Sequence, residues 1–290
     1  MIIIPGPASR KLGQRVAELL GVDTVGVKSK VFPDGEVYLR LLGDVKGEDV
    51  AVIQTTAPPQ DTNLIELFLL VDAANDLGAK RVTAVVPYLA YARQDRRFLD
   101  GEAVSVNTVI RILNSLGIDE FITFNVHAEH ILEKFEMPAR SLSAVPLLAE
   151  YLRERGLGGA MSFAPDKGAI GMARRASDVL KGGYGWIMKE RDRETGELRL
   201  KAARLDVKGK RVVVFDDIIS TGGTVALAVK TLVEQGAESV YAACVHPLLV
   251  GDALPKIIMS KARGVVGTDC IPSPVSAVSV APLIAEALRG

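Results

Sequence analysis

Short runs of consecutive apolar residues alternate along this chain with segments whose apolar residues recur every three to four positions. DVAVIQTT (49–56) has the length and β-branched content of a buried strand. NLIELFLLVDAANDLGA (63–79) carries the 3.6-residue period of a helix and is closed by Gly78. RVTAVVP (81–87) predicts the next strand, SVNTVIRILNSLG (105–117) a helix with Ser105 as N-cap, and EFITFNV (120–126) another strand. The second half repeats the theme. AMSFAPD (160–166), RVVVFDD (211–217) and SVYAACVHP (239–247) read as strands, and GGTVALAVKTLVEQGA (222–237) as a helix. Such alternation predicts an α/β fold of βαβ units, mainly parallel sheets flanked by helices. Ligands in such folds sit at the carboxyl ends of the strands.

The two halves also resemble each other. DLGAKRVTAVVPYLA (76–90) and EQGAESVYAACVHPLLV (234–250) share a helix end, a Gly-Ala turn and a strand of small apolar residues running to a proline. Two tandem domains of one ancestry explain this simply, with a boundary near Ser141–Pro146; chance likeness between α/β units is the alternative for so short a match. We expect domains at 1–143 and 144–278, with a C-terminal helix at 279–290 packing back on the first.

Composition narrows the function. Lys plus Arg and Asp plus Glu both number 35, so the formal net charge is zero, which argues against a nucleic-acid partner. Two cysteines in apolar surroundings, Cys244 and Cys270, do not make a disulfide framework of the secreted kind. The opening MIIIPGPASRK lacks the order of charge and apolar residues of a signal peptide, and LIELFLLVDAA is interrupted by Glu66 and Asp72. A cytoplasmic protein with no membrane partner is expected. Few Asn, Gln and Cys hint at a heat-adapted source.

The chemistry concentrates in VVVFDDIISTGGT (212–224). A buried strand leads through Asp216 and Asp217 into Ser220, Thr221, Gly222, Gly223 and Thr224, and then into a helix. Hydroxyls, closely approaching glycine backbone and a helix N-terminus together suit a phosphate. The two carboxylates repel that phosphate, so they must face something cationic or hydroxylated beside it. A metal ion or the vicinal hydroxyls of a sugar meet that need, and a sugar phosphate satisfies both halves. A strand ending in one capping Asp explains a single carboxylate but not the pair.

This stretch resembles the phosphoribosyl-pyrophosphate (PRPP) motif shared by type I phosphoribosyltransferases and ribose-phosphate pyrophosphokinases. Other segments make the chain similar to the ribose-phosphate pyrophosphokinase family over essentially its whole length. The resemblance implies two tandem phosphoribosyltransferase-like domains, the first carrying an ATP segment and the second the ribose 5-phosphate loop of Asp216, Asp217, Ser220, Thr221, Gly222, Gly223 and Thr224.

YARQDRR (91–97) matches the family's ATP-binding segment, marking Arg93, Gln94, Asp95 and Arg96. Its arginines, with Arg97, supply delocalised charge for a polyphosphate. A solvated basic turn is the plain alternative. VFPDGEVYLR (31–40) matches the adenine-binding segment. The match implies Phe32 to stack on the base, Asp34 and Glu36 to accept from it, and a homo-oligomer whose ATP site is shared between subunits. Alone, the segment is a hairpin turning at Pro-Asp-Gly.

NVHAEH (125–130) follows a strand, and the family makes His127 a magnesium ligand. Because that ion prefers oxygen, a histidine bonding near the phosphates stays open as the alternative. Many family members carry Asp where this chain has Asn125. FAPDKGA (163–169) matches the loop that binds the transferred pyrophosphate, with Asp166 as metal or ribose contact and Lys167 beside it. A turn opening a helix is its local reading. IMKERDRETGELRLKAARLDV (187–207) reads as a charged hairpin turning at Thr195-Gly196. In the family a mobile loop here brings a lysine and an arginine over the reacting phosphates, which correspond to Lys189 and Arg191.

The resemblance thus implies a magnesium-dependent enzyme that makes PRPP and AMP from ATP and ribose 5-phosphate. The rivals are a type I phosphoribosyltransferase and a catalytically silent regulatory subunit. The chain contains no G-x-x-x-x-G-K-[ST], no G-x-G-x-x-G after a strand, no G-x-S-x-G and no H-E-x-x-H. P-loop kinases, dinucleotide oxidoreductases, serine hydrolases and zincins therefore have nothing to stand on.

Overall fold

The computed structural model describes residues 1–191, 198–201 and 206–289. These fall into two compact units, residues 1–143 with 279–290 and residues 144–278.

The first unit is built from β1 (Ile2–Pro5), α1 (Arg10–Leu20), the strands β2 (Val27–Val31) and β3 (Val37–Leu41), β4 (Asp49–Ile53), α2 (Gln60–Asp76), β5 (Arg81–Val86), α3 (Ser105–Ser115), β6 (Glu120–Phe124) and β7 (Ala139–Leu142). Its sheet runs β1-β4-β5-β6-β7 with every neighbouring pair parallel. Being covered on both faces, these strands read as near-continuous apolar runs rather than as alternation. Val50 to Ile53 and Val82 to Val86 are all buried, and the more exposed Asp49 and Arg81 open their shared register. β2 and β3 form a separate antiparallel hairpin.

The second unit contains α4 (Val145–Leu152), β8 (Met161–Ala164), α5 (Ile170–Leu180), β9 (Tyr184–Trp186), the antiparallel hairpin β10 (Met188–Arg191) and β11 (Leu198–Lys201), β12 (Arg211–Ile219), α6 (Gly223–Glu234), β13 (Ser239–Pro247), α7 (Ala253–Met259), β14 (Val265–Thr268) and β15 (Ser276–Val278). Its sheet runs β15-β14-β13-β12-β8-β9, again parallel throughout. The chain then returns as α8 (Ala281–Arg289), which packs against α1 in the first unit. There Arg289 donates to the Leu19 carbonyl at 2.7 Å and Arg140 to the Ala287 carbonyl at 2.8 Å.

The two units repeat one topology. In each, a first strand and helix are followed by an antiparallel hairpin, after which the next long strand returns beside the first. β4 and β12 therefore occupy the same place in their sheets. The carboxyl end of β12 carries Asp216 and Asp217, whereas that of β4 leads into Gln54, Thr55 and Thr56.

Three boundaries differ from the expectation of the apolar pattern. α2 begins at Gln60, because its first turn is polar and burial starts only at Asn63; Asp61 in that turn complements the helix N-terminus. Ser105 is the first residue of α3 rather than its cap, since Val104 holds the capping position and no side chain caps the end. β12 runs on to Ile219, because Ile218 and Ile219 keep pairing with His246 and Pro247 of β13.

Helix α1 lies on β1 through Gly13, where an added Cβ falls 2.8 Å from Pro5 Cβ and 2.9 Å from Pro5 Cα. Helix propensity favours Ala over Gly by about 1 kcal/mol. Overpacking against backbone costs about 1–3 kcal/mol and outweighs it. Gly13→Ala is therefore expected to lower Tm, measured by thermal melting; a higher Tm would contradict this packing.

Candidate active site

In the second unit the fold gathers acidic groups and a glycine turn at the carboxyl ends of neighbouring strands β8 and β12. Asp216 and Asp217 are the last polar residues of β12 and are half-buried. Asp216 Oδ1 accepts the Asp217 N–H at 3.0 Å, and Asp217 Oδ1 accepts the Ile218 N–H at 2.8 Å. Asp166 lies near enough to add to the field on Asp216. It caps the short turn 167–169 after β8, with Oδ1 accepting the Gly168 N–H at 3.0 Å, and Lys167 beside it is exposed.

Burial is the main reason the Asp216 carboxyl is held well above the usual carboxylate range, and the neighbouring Asp217 and then Asp166 push it in the same direction. Directly across from Asp216 in the register, Cys244 is fully buried, and its thiol is pushed up by burial and by Asp216. A thiol so placed is not a nucleophile.

Beyond β12 the chain makes a tight turn into α6. Gly222 has φ +73°, and an added Cβ there falls 2.9 Å from the Ala253 carbonyl oxygen, so both conformation and space require glycine. A Cβ at Gly223 would meet nothing within 4 Å, which leaves the outer side of the turn open. The first N–H groups of α6 have no partner inside the helix and point along its axis with the positive end of the dipole. Ser220, Thr221 and Thr224 flank this turn. Lys256 of α7, not apparent from the sequence, donates to the Thr221 carbonyl at 3.2 Å and pairs with Asp252 at 3.2 Å. His246, buried at the end of β13 beside Ile218, was equally hidden in the sequence.

In the first unit the segment expected to bind ATP follows β5. Tyr91 has φ +64° and donates its hydroxyl to Asp61. Gln94 Nε2 donates to the Arg96 carbonyl at 3.3 Å, Arg96 lies over the Phe98 ring at 5.0 Å, and Arg93 is exposed. Asp95 Oδ2 is 3.5 Å from His130 Nε2, which joins this segment to the loop bearing the exposed His127. The hairpin β2–β3 carries Phe32, Asp34 and Glu36 at its tip. Phe32 is edge-on to Tyr38 at 5.9 Å, the Lys30 ammonium lies 4.3 Å from the Phe32 ring centre, and Asp34 accepts the Glu36 N–H at 3.2 Å.

Lys189 and Arg191 lie on β10, opposite Leu200 and Leu198 of β11, but their side chains are outside the described part of the structure, as is the Thr195-Gly196 turn. Among the described residues no group of three or more His, Cys, Asp and Glu is placed to hold a metal by itself. No described helix is long and apolar enough to cross a membrane.

Comparison with known proteins agrees with this geometry. Residues 1–117 match the N-terminal domain of ribose phosphate pyrophosphokinase, and residues 148–278 match the phosphoribosyl transferase domain. The ribose-phosphate pyrophosphokinase of Methanothermobacter thermautotrophicus is 46% identical over 99% of this chain and 100% of that protein. That of Saccharolobus solfataricus is 42% identical over 93% of both. The chain belongs to the ribose-phosphate pyrophosphokinase family. The crystal structure of phosphoribosylpyrophosphate synthetase from Mycobacterium smegmatis superposes with a TM-score of 0.88 at 32% identity, covering 100% of this chain and 97% of that one. Membership makes the protein an enzyme of the pyrophosphokinase type, and favours that reading over a lone phosphoribosyltransferase or a silent subunit.

The raised Asp216 has a consequence for stability. Below about pH 4 both folded and unfolded chains hold its proton, and it imposes no penalty. As pH rises from there through the raised folded value, the unfolded chain ionises first, and the native state loses stability. Asp216→Asn keeps the acceptor for the Asp217 N–H and removes the charge. It is expected to melt higher than the parent at pH 8 and equally at pH 3.5–4, roughly the unfolded carboxylate range. A lower Tm at pH 8 would contradict the assigned electrostatics.

Proposed function

We propose that the protein transfers the β,γ-diphosphate of ATP to the anomeric hydroxyl of ribose 5-phosphate, giving PRPP and AMP. The observation that carries this reading is the pairing of two crowded carboxylates with an anion-binding turn at one strand end. The turn at Ser220 to Thr224 takes the 5-phosphate, and Asp216 and Asp217 take the ribose 2- and 3-hydroxyls, directly or through a metal. A carboxylate accepting from hydroxyls gains hydrogen bonds without adding charge, which suits a group already disfavoured as an anion.

The anomeric oxygen attacks the β-phosphorus in line, the bond from that phosphorus to the oxygen bridging it to the α-phosphorus breaks, and AMP leaves. The hydroxyl proton passes to solvent. Arg93, Gln94 and Arg96 hold the polyphosphate, and Phe32, Asp34 and Glu36 hold the adenine, which has to share the Phe32 ring with the Lys30 ammonium. Lys189 and Arg191 neutralise charge on the transferred phosphoryl oxygens, where positioned cations act most strongly once water is excluded.

Magnesium is the metal this donor set suits. It prefers oxygen and commonly binds one or two carboxylates together with substrate phosphates, and Asp166, Asp216 and Asp217 offer oxygens whose mutual repulsion a cation relieves. When bound, it would neutralise phosphate charge. His127 is the second candidate contact, from the loop after β6. The exposed Val31 and Phe32 fit a homo-oligomer in which the hairpin completes a neighbouring subunit's ATP site. ATP and ribose 5-phosphate as substrates and two free buried thiols fit a cytoplasmic location.

The test is incubation with ATP, ribose 5-phosphate and magnesium, assayed for AMP and PRPP. Equimolar products that depend on the sugar phosphate are expected. PRPP consumption on adding a purine or pyrimidine base, without AMP formation, would move the protein to the transferases. Lys189→Ala is expected to reduce kcat by about 10²–10³ while KM for ribose 5-phosphate changes little; equal losses in both would contradict its role.

A further inference from the structure

The connection between β4 and α2, residues 54–59, contains none of the groups assigned to substrate, yet it is buried, polar and densely hydrogen-bonded. Gln54, Thr55 and Thr56 are buried at 0%, 2% and 0% exposure. Gln54 accepts the Ala8 N–H at 3.0 Å and donates to Glu66 at 3.1 Å, and Ser9 Oγ accepts the Thr55 N–H at 2.8 Å. Asn63 donates to the Ala57 carbonyl at 2.6 Å. Polar groups are buried at this density only where nearly every partner is satisfied, and such networks fix one conformation.

The network reaches the entry of the ATP segment through Thr56. Thr56 Oγ1 donates to the Tyr88 carbonyl at 2.7 Å and accepts the Ala90 N–H at 2.8 Å, while the Thr56 N–H also reaches the Tyr88 carbonyl at 3.0 Å. Ala90 immediately precedes the segment that starts at Tyr91, and Tyr88 lies two residues further back. Tyr91 itself adopts φ +64°, a conformation that a bulky side chain keeps only where its surroundings over-determine it. Its hydroxyl is tied to Asp61, one residue into α2 from the same connection. One rigid connection thus grips the entry of the ATP segment twice, by a buried hydroxyl beneath and a carboxylate at the surface.

We propose that the β4–α2 connection is a positioning clamp for the ATP segment, with Thr56 and Asp61 as its two anchors. The proposal rests on the reading that residues 93–96 bind ATP. Neither anchor touches substrate; they set where Arg93, Gln94 and Arg96 stand. Thr56→Val keeps shape and loses both hydroxyl bonds, leaving the buried Ala90 N–H without its acceptor. Thr56→Ser keeps the hydroxyl. Tyr91→Phe removes the surface anchor without disturbing the core.

Steady-state kinetics with both substrates varied, alongside thermal melts, test the clamp. Thr56→Val is expected to raise KM for ATP about tenfold or more and to leave KM for ribose 5-phosphate within about twofold, with Thr56→Ser near the parent. Tyr91→Phe is expected to shift KM for ATP in the same direction with unchanged Tm, and it decides the matter if Thr56→Val does not fold. Equal rises in both KM values, or no change in KM for ATP in Tyr91→Phe and Thr56→Val, would overturn the clamp. Arg96→Ala separates the two levels of the argument. If it raises KM for ATP while the anchor variants do not, the ATP segment stands and the clamp falls; if it too leaves KM for ATP unchanged, the ATP segment itself is misassigned and the clamp falls with it.

Discussion

Two carboxylates on consecutive residues, half-buried beside a turn that invites an anion, are the constraint on which the second unit depends. As anions, Asp216 and Asp217 repel each other, Asp166 and any phosphate, and this repulsion adds to burial, the larger cause, in raising Asp216. The backbone that carries the two carboxylates is held by β13, which pairs with β12 from Arg211 to Ile219, while β8 pairs only with Val212, Val213 and Val214. The turn that follows is equally fixed, since Gly222 is the one residue type that suits both its backbone angle and its contact with Ala253. On the proposed reading, hydroxyls or a cation relieve the carboxylates while a phosphate meets the turn, and a sugar phosphate does both at once.

The repeated topology gives this chemistry a foil within the same chain. At the end of β4, in the place that Asp216 and Asp217 occupy on β12, the first unit has Gln54, Thr55 and Thr56, whose polar atoms are turned inward onto their own neighbours. One copy of the topology ends its strand in two carboxylates; the other ends it in polar groups bonded to their own neighbours. The first unit carries exposed charge elsewhere, at Arg93 and Arg96 after β5, where Asp95 meets His130 of the loop after β6.

How much of this could be read from the sequence follows from how local each signal is. The strand–loop–helix at 212–224 was legible because all its groups are neighbours in the chain and the apolar period changes around them. The last two residues of β12 were not, because they belong to the strand only by virtue of pairing with His246 and Pro247. Lys256 reaches the phosphate turn from 35 residues away, and Thr56 reaches Tyr88 and Ala90 across 32 and 34 residues. No periodicity carries such contacts, and in the case of Thr56 the partners are backbone atoms, which leave no trace in residue type. The start of α2 was missed for a related reason: its polar first turn has no apolar rhythm, although Asp61 there later proves to hold Tyr91.

The most direct measurement compares kcat/KM for ribose 5-phosphate, 2-deoxyribose 5-phosphate and free ribose in the unmodified protein. If Asp216 and Asp217 hold the vicinal hydroxyls, loss of the 2-hydroxyl leaves a charged acceptor unpaired and lowers kcat/KM by about ten- to a hundredfold. Free ribose, with nothing for the turn at 220–224, falls further still. Equal kcat/KM for ribose and deoxyribose 5-phosphates would contradict the account, because the two carboxylates would then have no hydroxyls to justify their place beside the phosphate.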